Sequence, residues 1–295
     1  MRTQTLDRLA RPSGGLGMVA MDQRESLRAM FAEHRAGAVG AVGDEVLRDF
    51  KVTVAHEVGP HASGFLIDAD YGFDAIVRQR LLPPTCGLIL AIDALQHDGP
   101  VVVDTDIDRR IDPAEARAAG AVALKLLVVW RRDERRAQRA ALAAEFIATC
   151  AAAGLCSVLE PVARPAAGES DFDLNASILE AAAELGPLRP SLYKAQVPSQ
   201  GRGPAAEIAA VCDRLTATLP VPWVALSQGV TIADFPGAVE IACRAGASGF
   251  LAGRAIWSDT VGAADHAAEI RRRSVDRLHR LGDIVDEHAR PWHTV

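Results

Sequence analysis

Two lysines lie within apolar segments of the sequence, Lys125 in VALKLLVVW and Lys194 in SLYKAQVP. Lysine is otherwise scarce, because 29 of the 32 basic residues are arginine. The third lysine, Lys51, lies in an amphipathic segment, and we expect it at the surface. Burying a charge is costly, and arginine cannot replace lysine as an amine nucleophile. The two lysines in apolar segments therefore predict chemistry that begins with attack of an amine on a carbonyl group.

Reactive side chains recur at the ends of other apolar segments. In a closed barrel, alternate residues of each strand point inward and the active site lies at the carboxyl ends. Six segments each place one acid, base or hydroxyl in the set expected to point inward: Asp22 after Met18 and Ala20, Lys125 after Ala123, Glu160 after Val158, Lys194 after Leu192, Ser227 after Trp223 and Ala225, and Arg254 after Phe250 and Ala252. Asp68 and Asp93 end two further segments, where a turn or a helix cap explains an aspartate equally well.

This combination of amines and carboxylates suits the cleavage of a carbon–carbon bond through an imine. Two amines close together in a dry pocket each disfavour the protonated form of the other. We therefore expect Lys194 to be neutral and able to attack a ketone. Glu160 is predicted to act as acid and base, Lys125 to hold substrate oxygens, and Asp22 to orient substrate hydroxyls. The residues thus predict a class I, Schiff-base-forming aldolase.

Glycines and cationic side chains near the last two segments predict a site for an anionic substrate. Loops after strands seven and eight commonly bind phosphate in barrels, and here they hold Ser227, Gly229, Gly253 and Arg254. Gln23 and Arg24 follow Asp22 and are expected on the opposite side. An extended sugar phosphate with a second anionic group is the predicted substrate.

The arrangement of apolar segments predicts how these residues are positioned. Eight short, nearly continuous apolar runs alternate with helical stretches, as expected for parallel strands that are covered on the outside. They span 16–22, 63–68, 87–93, 122–130, 156–162, 191–198, 222–229 and 249–257. Because no linker or repeat interrupts this order, residues 1–295 are predicted to form a single-domain α/β protein, a (β/α)8 TIM barrel.

Helices are predicted at 134–153, 204–219 and 232–245, with proline or glycine near their ends. The first long connection, 24–62, contains two helical stretches, 25–35 and 44–58, separated by a segment rich in Gly, Ala and Val. The second, 98–112, is expected to be an irregular loop over one face of the barrel.

Composition excludes several classes of protein. A net charge of −6 argues against nucleic acid as a partner. No apolar run is long enough for a membrane helix, and the first residues lack a signal core, so we expect a cytoplasmic protein. Five unpaired cysteines agree with this. The eight histidines avoid the segment ends and form no H-E-x-x-H motif, so neither a metal nor another cofactor is expected.

Several segments resemble a known family. AMDQRES, LRDFKV, ALKLLVVWRRDE, LEPVARP, LYKAQVP, WVALSQGV, GASGFLAGRAIW and LGDIVDE are similar to sulfofructosephosphate aldolases and, less closely, to tagatose-1,6-bisphosphate aldolases. The resemblance implies a barrel that forms its Schiff base on Lys194. It matches Asp22, Lys125 and Glu160 to the other catalytic positions, and it implies association into a homo-oligomer.

The same resemblance implies a substrate, 6-deoxy-6-sulfofructose 1-phosphate, cleaved to dihydroxyacetone phosphate and 3-sulfolactaldehyde in sulfoquinovose degradation. Ser227 and Arg254 would then contact the phosphate, and Gln23 and Arg24 the sulfonate. Two alternatives remain open from the sequence. One is an aldolase for tagatose or fructose 1,6-bisphosphate, and the other is a non-catalytic barrel that senses a sugar phosphate.

Overall fold

A closed barrel of parallel strands forms the centre of the protein, as predicted. The computed structural model describes residues 5–34 and 42–295. In these ranges the strands are β1 Leu16–Met21, β2 Gly64–Asp68, β3 Gly87–Ala91, β4 Asp93–Asp98, β5 Val101–Ile107, β6 Ala121–Trp130, β7 Cys156–Ala163, β8 Leu192–Gln196, β9 Trp223–Leu226 and β10 Gly249–Ala252. The barrel order is β1-β10-β9-β8-β7-β6-β3-β2, while β4 and β5 pair only with each other.

Helices follow the strands and cover the outside of the barrel. They are α1 Glu25–His34, α2 Asp44–Val58, α3 Phe73–Gln79, α4 Pro113–Ala118, α5 Arg136–Ala153, α6 Leu174–Leu185, α7 Ala205–Thr218, α8 Phe235–Arg244, α9 Arg254–Trp257, α10 His266–Glu269 and α11 Val275–His288. Their ends follow local chemistry. Asp173 caps α6 by accepting from the backbone N–H of Asn175 at 2.9 Å, and α5 stops at Gly154 with φ of 71°. No helix in the described ranges is both long and apolar enough to cross a membrane.

The first long connection contains the two predicted helices, α1 and α2. Residue 35, the last position predicted for the first of them, lies outside the described residues. The same holds for 36–41, which make up nearly all of the segment rich in Gly, Ala and Val.

The strands separate two apolar layers, one inside the barrel and one beneath the helices. Met18, Ala123 and Val158 belong to the interior cluster, while Val19 and Leu124 pack in the outer cluster. Both faces of the strands are therefore buried, which explains why their sequences are apolar throughout instead of alternating.

The predicted inward face is wrong for the last two barrel strands. Val224 of β9 and Leu251 of β10 belong to the interior cluster, whereas Trp223 and Phe250 face the helices. Trp223 donates its indole N–H to Thr216 in α7 at 2.9 Å. A strand that is apolar on both faces gives no alternation from which its inward side can be determined.

The last three predicted strands also extend too far. Strand β8 ends at Gln196 and β9 at Leu226, while the residues expected to end the eighth strand form helix α9 instead. Ser227 and Arg254 therefore lie just past the strand ends, where the backbone has left the sheet.

Most of the segment predicted as an irregular loop, 98–112, belongs to a β-hairpin. Strands β4 and β5 pair antiparallel from Asp93 with Ile107 to Asp98 with Val101, and Gly99 has φ of 56° at the turn. The hairpin begins only two residues after β3 ends, which shortens the third predicted strand. In its sequence the Asp98-Gly99 turn pair and the valines at 101–103 favour such a hairpin, whereas the first strand, with few apolar residues, does not look like a strand.

Lys51 is buried, so its predicted surface position is wrong. Its ammonium group forms an ion pair with Asp68 at the end of β2 and donates to the carbonyl oxygen of Met21 at 2.9 Å. Asp68 also accepts from the backbone N–H of Tyr71 at 2.8 Å. Lys51 thus ties helix α2 to the ends of the first two strands.

We expect Lys51→Met to destabilise the fold by about 3–5 kcal/mol, because the Asp68 carboxylate would remain buried without its cation. The measurement is urea unfolding at neutral pH. Arg48→Ala, on the exposed side of the same helix, is the control and should change stability by no more than about 0.5 kcal/mol. Equal unfolding midpoints for both variants would show that the buried pair contributes little.

Candidate active site

Lys194 projects from β8 into the mouth of the barrel and is only 3% exposed. Its Nζ lies 2.7 Å from Oε1 of Glu160 on the neighbouring strand β7. Both residues line a cavity of about 530 Å³. The structure therefore places the predicted nucleophile and the predicted acid and base in direct contact.

The ammonium group of Lys125 is surrounded by three carboxylates. Its Nζ lies 2.7 Å from Asp22 Oδ2, 2.9 Å from Glu160 Oε2 and 3.0 Å from Asp93 Oδ1. Burial alone would lower the pKa of Lys125, but these three negative charges outweigh it and hold the pKa well above its usual value. Lys125 is therefore positively charged at neutral pH.

This arrangement corrects the expectation that each amine makes the other neutral. Glu160 lies between Lys194 and Lys125, with one carboxylate oxygen on each. For Lys125 the nearby carboxylates dominate, and its charge is stabilised. A charged Lys125 suits binding and polarising a substrate oxygen, the role predicted for it, but it is not a second free amine.

Asp22 is ionised in this setting. Its burial would raise its pKa, but the charges of Lys125 and Lys194 hold the pKa well below the usual range. A carboxylate in this position can accept hydrogen bonds from substrate hydroxyls. Asp22 lies just after β1 and lines the cavity together with Lys194.

Asp93 completes the group, although the sequence left it undecided between a turn and a reactive residue. It is fully buried, and its Oδ1 accepts from both Lys125 and the backbone N–H of Leu127. Its carbonyl oxygen accepts from Arg24 at 2.9 Å. Asp68, equally undecided from the sequence, pairs with Lys51 instead.

All six predicted substrate-binding residues line the cavity: Gln23, Arg24, Ser227, Gly229, Gly253 and Arg254. The backbone N–H of Gly253 donates to the hydroxyl of Ser227 at 3.3 Å, which joins the ends of β9 and β10. A Cβ at Gly253 would lie 2.7 Å from the carbonyl oxygen of Ala20. Only glycine allows β1 and β10 to approach this closely.

Gln23 and Arg24 were predicted to lie on the same side of the cavity, but they lie on different sides. A Cβ at Gly253 would come within 2.8 Å of Gln23 Nε2, so this amide lies beside the β9–β10 side of the cavity. Arg24 instead lies near the hairpin, with its guanidinium 3.6 Å from both Asp93 and Asp70. Successive residues point to different sides here because the chain has left β1 and is entering α1.

The charge of Arg24 is balanced by its neighbours. Burial would lower its pKa, but the carboxylates of Asp93, Asp68 and Asp70 outweigh burial and raise it. His97 of the hairpin also lines this side of the cavity, and burial lowers its pKa, so it is neutral at pH 7. This side of the cavity therefore offers donors but little net positive charge.

Arg164 and His97 also line the cavity, although neither was predicted from the sequence. Arg164 follows the end of β7 at the same alternation as Glu160 and Val162, so extending the alternation by two residues would have found it. His97 lies in the unexpected hairpin, and the Asp98-Gly99 pair with the valines after it is the signal that could have indicated this turn. Within the described ranges, no group of three or more His, Cys, Asp or Glu is arranged to hold a metal ion.

Comparison with known proteins identifies the family of this barrel. The family model described as DeoC/LacD family aldolase matches residues 16–259, which include all the barrel strands. The chain belongs to the DeoC/LacD family of aldolases. The aldolase is therefore an enzyme of the lyase class, as predicted.

Individual relatives agree with the family. Tagatose 1,6-diphosphate aldolase of Listeria monocytogenes serotype 4b (strain CLIP80459) is 26% identical, over 98% of this aldolase and 93% of that protein. The fructose-bisphosphate aldolase structure from Plasmodium falciparum has a TM-score of 0.71 at 13% identity, covering 96% of this chain and 93% of that one. The one from Slackia heliotrinireducens has a TM-score of 0.65 at 19% identity, covering 94% and 88%. At these identities the two structures support the fold alone.

We expect Asp93→Asn to shift the alkaline limit of aldol cleavage to lower pH, by about one unit or more. A carboxylate beside Lys125 raises the pKa of the ammonium group, so removing one lets Lys125 lose its proton at lower pH. The measurement is kcat/KM for a ketose phosphate between about pH 7 and about pH 11. Asp106→Asn, at an exposed hairpin position, should leave the profile unchanged. If the pH profile of Asp93→Asn is not shifted, catalysis does not require a positive charge on Lys125.

Proposed function

We propose that this protein is a class I aldolase that cleaves a ketohexose 1-phosphate through an imine on Lys194. The observation that carries the proposal is the 2.7 Å contact between Lys194 Nζ and Glu160 Oε1 in the cavity. It joins an amine to a carboxylate that can exchange a proton with it. Lys125, 2.9 Å from the other oxygen of Glu160, keeps a positive charge beside that carboxylate during the exchange.

Imine formation begins when Lys194 gives its proton to Glu160 and its free amine attacks the ketone carbon. The carbonyl oxygen takes up one of the two protons left on the attacking nitrogen, giving a neutral carbinolamine. Glu160 then donates the proton it received to the departing hydroxyl, and water leaves. The product is a protonated imine at C2, whose positive nitrogen can accept the electrons of the C3–C4 bond.

Cleavage follows when a carboxylate removes the proton from the hydroxyl on C4. The C3–C4 bond breaks, the C4 fragment leaves as an aldehyde, and the bonding electrons form an enamine on Lys194. Glu160 is the proposed base because it already contacts the nitrogen of Lys194, while the ionised Asp22 orients the hydroxyls. Protonation of the enamine at C3 and hydrolysis of the imine release dihydroxyacetone phosphate and restore the lysine.

The two sides of the cavity suggest which groups the substrate carries. Ser227, Gly229 and Arg254 provide hydroxyl, backbone and guanidinium donors for the C1 phosphate. On the hairpin side, Arg24 is already balanced by aspartates and His97 is neutral. Such a side suits a group with one negative charge better than one with two, which favours a C6 sulfonate over a C6 phosphate.

We therefore propose 6-deoxy-6-sulfofructose 1-phosphate as the substrate, in agreement with the sequence segments that resemble sulfofructosephosphate aldolases. Tagatose 1,6-bisphosphate is the second candidate, because the Listeria relative is named as an aldolase for that sugar. Both substrates would form the same imine on Lys194. They differ at the C6 group and in the configuration of the C4 hydroxyl, because tagatose is the C4 epimer of fructose, so fructose 1,6-bisphosphate is the compound that differs from the sulfosugar at C6 alone.

Lys194→Arg should abolish imine formation and lower turnover by about three orders of magnitude or more. Arginine keeps the positive charge but is not a nucleophile. The measurement is borohydride reduction in the presence of dihydroxyacetone phosphate, followed by peptide mass spectrometry. Lys125→Arg is the matched control, and its Lys194 should still acquire the reduced adduct. An adduct on another residue of the wild-type protein would rule out Lys194 as the nucleophile.

A comparison of a panel of three substrates tests whether the enzyme prefers a sulfonate or a phosphate at C6. Release of dihydroxyacetone phosphate is compared for the sulfosugar and for tagatose and fructose 1,6-bisphosphates, with a chelator present throughout. We expect kcat/KM to be at least about tenfold higher for the sulfosugar. A preference for a bisphosphate would keep the imine mechanism but reject the sulfosugar. Turnover that stops with the chelator would reject the metal-independent mechanism.

A further inference from the structure

Two arginines in the cavity lack an acidic partner. Arg164 and Arg254 both line the cavity, and no carboxylate of the described residues lies within 4 Å of either guanidinium group. Arg24, on the hairpin side, has two such neighbours at 3.6 Å. The β9–β10 side of the cavity therefore holds two positive charges that the protein does not neutralise by direct contact.

Arg164 is held in place by few contacts. Its backbone N–H donates to the carbonyl oxygen of Trp130, which fixes the chain just past the end of β7. Its Nη2 lies 2.5 Å from the side-chain amide of Gln228, with Nη1 at 3.3 Å, and the amide oxygen can accept from both. Its Nε is buried and has no hydrogen-bond partner among the described residues. The neutral amide of Gln228 thus contacts the guanidinium group of Arg164, although the planar N–H donors of that group suit an oxyanion better.

Gln228 places Arg164 at a particular part of the cavity. It lies between Ser227 and Gly229, in the loop after β9 to which the proposed function assigns the C1 phosphate. Arg164 therefore reaches from β7 to the same loop that Arg254 approaches from β10. Burial and the neighbouring charges of Arg254 and Arg131 lower the pKa of Arg164, so these cations disfavour one another until an anion binds between them.

We propose that Arg164 is a second anion-binding residue of this subsite and that, with Arg254, it selects a doubly charged phosphate ester. The inference rests on the proposed function, because it assigns the C1 phosphate to the β9–β10 side. Gln228 holds the guanidinium group of Arg164 until the phosphate displaces the amide. Two arginines then balance the two charges of the dianion.

Charge selection makes phosphate binding depend on pH. A phosphate monoester takes up its second charge near pH 6. Both guanidinium groups stay protonated across that range, so binding should strengthen as pH rises from about 5 to about 7.5. Removal of one arginine should leave a site that binds the monoanion and the dianion with more similar affinities.

The test compares Arg164→Gln with wild type by calorimetric titration with glycerol phosphate, a phosphate monoester that has no ketone, and, separately, by steady-state kinetics. We expect the Kd for glycerol phosphate and the KM for substrate to rise by about 10- to 100-fold, with kcat changing by less than about threefold. The strengthening of binding between about pH 5 and about pH 7.5 should largely disappear. Arg244→Gln is the matched control, because Arg244 is exposed on α8, pairs with Glu240 and does not line the cavity.

Arg164→Lys keeps one charge and should give an intermediate Kd, which also decides the matter if Arg164→Gln does not fold. Affinity for glycerol phosphate that is unchanged in Arg164→Gln, or no binding of glycerol phosphate by wild type, overturns the inference. Weakened phosphate binding together with no turnover of any panel substrate would support the anion site and reject the proposed function. Turnover of a panel substrate by wild type, together with unaltered phosphate binding by Arg164→Gln, would support the proposed function and reject the anion site.

Discussion

The ammonium group of Lys125, held among Asp22, Asp93 and Glu160, is the interaction on which the rest of the site depends. Each of these charges would be costly to bury alone, and the Lys125 ammonium group offsets part of the negative charge of the three carboxylates in the mouth of the barrel. The four residues come from the end of β1, from within β6 and β7 and from the start of the hairpin, so the group forms only when distant parts of the chain are brought together. The same group keeps Lys125 protonated and places Glu160 against Lys194. Stability of the strand ends and geometry of the reactive amine therefore have one physical origin.

Around this centre, the cavity has two sides that differ in how many carboxylates lie close to their arginines. Arg24 on the hairpin side is balanced by aspartates, whereas Arg164 and Arg254 on the β9–β10 side rely on what binds there. Both sides present guanidinium groups, yet they differ in net charge. A census of basic residues in the sequence cannot detect this difference, because it depends on which carboxylates the fold brings within about 4 Å.

Much of the fold and the reactive centre was predictable, because both depend on local sequence signals. Continuous apolar runs that alternate with helices predict the barrel, and the two lysines within such runs mark the cavity. The inward face of β9 and β10 was not predictable, since strands that are apolar on both faces carry no alternation. The first strand of the hairpin contains few apolar residues, and Lys51 lies in a helix whose sequence looks amphipathic. The partner that explains its burial, Asp68, is distant in sequence and adjacent only in the folded chain. The role of Asp93 could not be predicted for the same reason, because its partner Lys125 is also distant in sequence.

The burial of every lysine has a consequence for the protein's own chemical durability. The three lysines all lie in the described part of the chain, with exposures of 0%, 1% and 3%. Aldehydes and ketones condense with free amines, and an aldolase works in their continual presence. With arginine in place of lysine on its surface, this protein offers such compounds no lysine side chain except within its cavity. Glycation of the surface is thereby limited, and amine-directed reagents that enter the cavity should label one position selectively.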